Sequence, residues 1–169
     1  MTTAADLIAH FDMTVLPAEG GIFAETYRAE RTLPSGQPFS TAILYLLTNE
    51  PDSFSALHRL PTDEIFHYHL GGPADMLLLY PDGRSQTVTL GPDVLNGQHV
   101  QFVVPAGVWQ GTRLRPGADF VLLGTTMAPG FTQADYQGGQ RDALVQQYPQ
   151  ARAQIEQLTR PDAPSHMPT

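Results

Sequence analysis

The sequence predicts a mainly β protein, a barrel or sandwich of short strands with a helix at its start and helices near its end. Three observations carry that expectation. From about residue 22 to 127, apolar or alternating runs recur roughly every 8–12 residues, the spacing of short antiparallel strands. Gly, Pro, Asp and Asn punctuate them at the positions where turns need those residues. After residue 140 the apolar residues switch to a helical period.

Taken in order, Thr3 and Asp6 stand at capping-box spacing, and Leu7, Ile8 and Phe11 repeat at helical spacing, which predicts a helix over about residues 4–11. Pro17-Ala18-Glu19-Gly20-Gly21 breaks the chain; with no helix after it, the glycine pair reads as a tight backbone crossing and not a phosphate loop. Ile22 to Glu30 alternates, and Leu33 to Gly36 is a turn. Thr41 to Leu47, Phe54 to His58 and Glu64 to Leu70 follow as strands, separated by turns at 49–52 and 60–63. Asp75 to Tyr80 and Ser85 to Leu90 flank Pro81-Asp82-Gly83, a hairpin signal. Val100 to Val104, Trp109 to Leu114 and Phe120 to Met127 complete a set of roughly nine strands. Asp142 to Tyr148 and Gln150 to Leu158 read as helices, Pro149 standing at an opening position. Residues 1–160 read as a single domain, and 161–169 (PDAPSHMPT), with nothing apolar in register to bury, as a disordered tail.

Composition narrows the chemistry. The chain has 169 residues, a formal charge of −8, nine arginines, eleven aspartates, six glutamates, and neither cysteine nor lysine. Disulfides, thiolate metal sites, Schiff bases and lysine general bases are therefore excluded. An acidic balance with scattered arginines argues against a nucleic-acid partner. No apolar run reaches the ~18–20 residues that span a bilayer, and the first residues lack the basic region of a signal peptide, so no membrane partner and a cytoplasmic location are expected. G-x-G-x-x-G, Walker, G-x-S-x-G, H-E-x-x-H and EF-hand patterns are absent. Polar catalysis is left to carboxylates, hydroxyls, arginine and six histidines, of which His58, His67 and His69 cluster.

Around that cluster the text reads His58-Arg59-Leu60-Pro61-Thr62-Asp63-Glu64-Ile65-Phe66-His67-Tyr68-His69-Leu70-Gly71, and further on Pro105-Ala106-Gly107-Val108-Trp109-Gln110. This resembles the cupin superfamily, whose motifs are G-x5-H-x-H-x3,4-E-x6-G and G-x5-P-x-G-x2-H-x3-N. His58, Glu64 and Gly71 match the first, and Pro105 and Gly107 the second. Asp52, Leu60 and Gln110 stand where the pattern has glycine, histidine and histidine. With Glu19-Gly20-Gly21, Glu25 to Arg28 and Ala128 to Phe131 added, the chain from about residue 5 to 160 is similar to an uncharacterised cupin-like family related in fold to the dTDP-sugar epimerases. The resemblance implies a cupin double-stranded β-helix (jelly-roll barrel), a homodimer and a pocket for a small, carbohydrate-like ligand. It implies no particular reaction.

Carried over residue by residue, the usual metal set becomes His58, Leu60, Glu64 and Gln110. Leucine cannot ligate and an amide is a weak ligand, so no cofactor is expected; a divalent metal, if bound, would need His58 and Glu64 with His67, His69 or Gln110. Strand parity turns His67 and His69 away from the face that carries Glu64, unless a bulge falls between residues 64 and 67. Without a metal, His58 is the candidate base and Glu64 its orienter, an imidazole–carboxylate pair suited to taking a proton next to a carbonyl. Tyr45, Phe66, Tyr68, Trp109 and Gln110 are the candidate ligand-binding residues, with Tyr68 able to return a proton from the opposite side. The resembled epimerases also use a lysine, which this chain lacks. Three functions stay open: a metal-independent sugar or carbonyl isomerase or epimerase, a dioxygenase-like metal-dependent cupin enzyme, and a non-catalytic binding module.

Overall fold

The computed structural model describes residues 2–168; Met1 and Thr169, the outer ends of the expected domain and tail, lie outside the described residues. Helix α1 (Ala4–Phe11) begins at the capping box read from the sequence. Thr3 Oγ1 accepts the Asp6 N–H at 3.2 Å, and the Thr3 N–H donates to Asp6 Oδ2 at 2.8 Å. The strands follow as β1 (Thr14–Val15), β2 (Ile22–Arg28), β3 (Thr41–Thr48), β4 (Phe54–Arg59), β5 (Glu64–Gly71) and β6 (Ala74–Leu79). Then come β7 (Ser85–Leu90), β8 (Gln101–Val104), β9 (Trp109–Leu114), β10 (Phe120–Met127) and β11 (Gln137–Gly138). Helices α2 (Arg141–Gln147) and α3 (Arg152–Gln157) close the chain, joined by a 3₁₀ turn that Pro149 opens.

Two sheets face each other. One runs β1-β2-β3-β10-β5-β8 and the other β11-β4-β9-β6-β7. The ladders between these strands are antiparallel. Period-two alternation sorts each strand between layers. On β3, Tyr45 and Leu47 point between the sheets, while Leu44 and Leu46 point out beneath Leu7 of α1. Both faces of β3 are covered, which is why TAILYLLT reads as a nearly continuous apolar run. On β6, Met76 and Leu78 fill the interior; Leu77 and Leu79 pack outward against Leu144, Tyr148 and Ile155 of the C-terminal helical segment.

The expected loose tail beyond Pro161 rested on its lack of periodic apolar residues. In the structure Met167 is buried, and the Gly138 N–H donates to the Ser165 carbonyl at 2.8 Å, which lays this segment beside β11. Sequence reading also passed over β1 and β11, two-residue strands that carry too little pattern to register.

Candidate functional site

A cavity of about 290 Å³ opens at one end of the two sheets. Three larger depressions, of about 710, 530 and 440 Å³, carry no buried carboxylate or imidazole. The cavity does. Both sheets supply its inner end: His58 from β4, Glu64 from β5, Thr41 from β3 and Thr125 from β10. Leu60 and Met127 add apolar wall, and Arg28, Glu25, Phe131 and Gln133 stand toward the opening.

His58 is 2 % exposed, and its Nδ1 lies 2.8 Å from the Ala56 carbonyl. A carbonyl oxygen can only accept, so Nδ1 carries the proton and the neutral ring leaves Nε2 bare. Tyr136 stacks on the other side of the imidazole, with ring centroids 5.2 Å apart. The carboxylate nearest Nε2 belongs to Glu19, whose Oε2 is 3.7 Å away. Glu64 instead takes a 2.7 Å hydrogen bond from Gln110 Nε2, whose own Oε1 is buried with no partner. Burial pushes the Glu64 carboxyl above its ordinary range; the Glu19 charge adds to this, while His58 and hydrogen bonds from Thr125 and Gln110 oppose it. Burial, with the Glu19 charge behind it, also holds the Tyr45 phenol well above its ordinary range.

Glu19 reaches the site through a heavily constrained loop. Its Oε1 accepts from Ser55 Oγ at 2.7 Å. Its carbonyl accepts the Ala56 N–H and Arg160 Nη1, each at 2.9 Å, and the Gly20 carbonyl accepts the Tyr45 hydroxyl at 2.8 Å. Gly20 and Gly21 have φ of +90° and +72°; a Cβ at Gly21 would run into the Tyr45 ring, and one at Gly20 would sit 2.7 Å from the Phe54 carbonyl. The crossing read from the glycine pair is thus the device that sets Glu19 beside His58.

Several sequence-based assignments change. The orienting group of His58 is the Ala56 carbonyl and its neighbouring carboxylate is Glu19, not Glu64. Arg59, next to His58, donates from Nε to Gln137 at 2.7 Å and covers the Trp109 ring with its guanidinium. Trp109 lies on the opposite side of β9 from Gln110, packed among the residues facing α2 and α3. Adjacent strand residues cannot share a face, so the two could not both enter the cavity. Tyr45 and Phe66 belong to the packed interior between the sheets and Tyr45 braces the Glu19 loop. Tyr68 is half-buried at the far end of β5, its hydroxyl donating to the Gly71 carbonyl at 2.6 Å, away from His58. Gln110 stands behind Glu64, opposite His58 in the β4–β9 ladder.

His67 and His69 lie on the outer face, as parity predicts. The register slip in β5 falls opposite Leu122/Leu123, leaving His69 unpaired, and so comes after the 64–67 stretch it would have had to invert. His67 Nε2 meets Thr126 Oγ1 at 2.8 Å, and His69 lies over Gly124. Neither can join His58 around an ion. Among the described residues no three His, Asp or Glu side chains converge as metal ligands. With Leu60 in the wall and Gln110 bonded to Glu64, the donor set does not fit a resident transition metal.

A small barrel of two antiparallel sheets, with histidine and glutamate meeting from opposite sheets at the inner end of its cavity, defines a cupin-type double-stranded β-helix. Residues 5–138 match the family described as Cupin superfamily (DUF985), and the chain belongs to that family. It is 33 % identical over 135 residues to the uncharacterized protein YML079W of Saccharomyces cerevisiae, a match spanning 70 % of this chain and 66 %, just under two thirds, of the yeast protein. Among solved structures, protein SO0799 from Shewanella oneidensis superposes with a TM-score of 0.89 at 31 % identity, covering 96 % of this chain and 100 % of that one. A hypothetical protein from Leishmania major gives 0.82 at 29 % identity, covering 94 % and 99 %.

Proposed function

We propose that this protein binds a small polar molecule in the cavity and isomerises it by proton transfer, with His58 as the base and no metal. The observation that carries the reading is the 2.8 Å contact of His58 Nδ1 with the Ala56 carbonyl, which aims a bare Nε2 at the cavity beside Glu19. Nε2 takes the proton from the carbon next to a carbonyl, and the C–H electron pair moves into an enediol. The Glu19 carboxylate relays the hydroxyl proton between the two oxygens, and the imidazolium returns its proton to the neighbouring carbon. No electrons are gained or lost. The imidazolium is stabilised in the meantime by carboxylates on two sides. With Tyr68 turned to Gly71 and Tyr136 stacked on His58, neither tyrosine stands opposite the base. A single-base isomerisation fits this arrangement better than a two-base epimerisation.

The test is proton exchange in D2O, followed by proton NMR on a panel of hydroxy-aldehydes and hydroxy-ketones. Wild-type protein should replace the hydrogen next to the carbonyl with deuterium. His58→Asn, with unchanged circular dichroism, should lose roughly 10²–10⁴-fold of that rate, the usual contribution of a general base. Exchange that survives His58→Asn would sink the assignment. A ligand bound without any exchange would leave a non-catalytic binding module.

A further inference from the structure

We infer that the cavity selects a small ligand that brings hydrogen-bond donors and carries no negative charge: an unphosphorylated polyhydroxy compound or an amine-bearing relative of one. This rests on the reading of the cavity as the binding site, and it comes from counting what the site has left to offer. Several donors around it are already engaged. Ser55 donates to Glu19, Tyr45 to the Gly20 carbonyl and the Gln110 amide nitrogen to Glu64. Arg28, the one guanidinium in the lining, holds Glu25 with Nε at 2.9 Å and Nη2 at 2.6 Å, and its Nη1 donates to the Phe131 carbonyl at 3.2 Å.

What stays open is acceptor capacity. Glu19 accepts its hydrogen bond from Ser55 on Oε1, and Oε2 takes part in none, with the bare His58 Nε2 3.7 Å from it. His58 Nε2 is bare in its fixed tautomer. Hydroxyl or ammonium groups fill such positions; phosphate and carboxylate oxygens cannot. Charge acts in the same direction. With Arg28 and Glu25 offsetting each other, the carboxyl groups of Glu19 and Glu64 face the cavity without a guanidinium partner, in a chain of formal charge −8. An anionic ligand would be held next to like charge. Size adds a bound: 290 Å³ lies at the lower edge of the roughly 300–1,000 Å³ usual for small-molecule sites, room for one ring or a short chain but not for an attached nucleotide.

The experiment is a binding screen of the full chain, by titration calorimetry and thermal shift, against matched probes: free sugars and polyols, their amino derivatives, and their phosphate and carboxylate counterparts. The ring signals of His58 in proton–nitrogen NMR locate each bound probe. The expected result is a neutral or amino member that perturbs His58 and binds at least tenfold more tightly than its anionic counterpart. Glu19→Gln should narrow that preference. Equal or tighter binding of the anionic member at His58, or no neutral or amino binder in the whole panel, overturns the inference. A probe that binds without perturbing His58 refutes the cavity as the site. Binding at His58 without exchange in D2O removes the isomerase reading and leaves the ligand class standing.

Discussion

Glu64 is a carboxyl group fully enclosed between two sheets, and its protonation is tied to folding. Burial raises its folded-state pKa above the ordinary value of 4.5, so the native state holds this proton more tightly than the unfolded chain does. The stability linked to it is therefore complete below about pH 4.5 and is lost as pH rises through the folded-state value. Glu64→Gln keeps the shape of the neutral acid and cannot ionise. Urea unfolding of the two proteins at a series of pH values should show the variant gaining on the wild type as pH climbs from 4.5 toward neutrality. A difference that is flat with pH would contradict the burial argument. At this scale the sequence revealed part of the site. His58 and Glu64 were legible because they sit in a spaced motif, and motif spacing fixes strand positions. Glu19 was not, because it lies on a loop 39 residues before His58, and only the fold brings it there. Its visible trace was the Gly20-Gly21 pair that follows it. Tyr136 left no signal, since a lone tyrosine in a coil carries no periodicity.

Strand period decided more than residue type. The 64–69 stretch was read correctly by parity alone: Glu64 and Phe66 face in, and His67 and His69 face out. The same rule, applied to β9, separates Trp109 from Gln110. Trp109 instead belongs with the helices. That layer is built on Ile155, wholly buried between α3 and the outer face of the five-stranded sheet. Ile155→Ala removes three carbons from a site that cannot collapse around the rigid sheet, and should cost about 2–5 kcal/mol in equilibrium unfolding. Because the opposite faces of β4 and β9 carry His58 and Gln110, the His58 ring signals should stay in place under native conditions. A shift of those signals would mean that the helical layer shapes the site.

Across the whole molecule, α1 covers only part of the outer face of the six-stranded sheet. A row crosses five strands of that sheet in register: Tyr27, Ala42, Thr126, Ile65 and Val103. Its ends, Tyr27 and Val103, are 54 % and 47 % exposed, and between them Ala42 and Thr126 are small, so a second surface can approach closely there. At one border β8 is an edge strand, with one side of its backbone free to pair. We propose that a second copy of the chain covers this face about a two-fold axis, which lets one self-complementary patch meet itself and close. A two-sheet stack of this kind leaves both cavities open between the sheets of each protomer. Light scattering coupled to gel filtration should then give twice the 18.4 kDa chain mass. Val103→Asp places a charge in the row without touching either core, and should yield a folded monomer with an unchanged circular dichroism spectrum. A wild-type mass of one chain at micromolar concentration, or a Val103→Asp protein that stays dimeric, would place the contact elsewhere or abolish it.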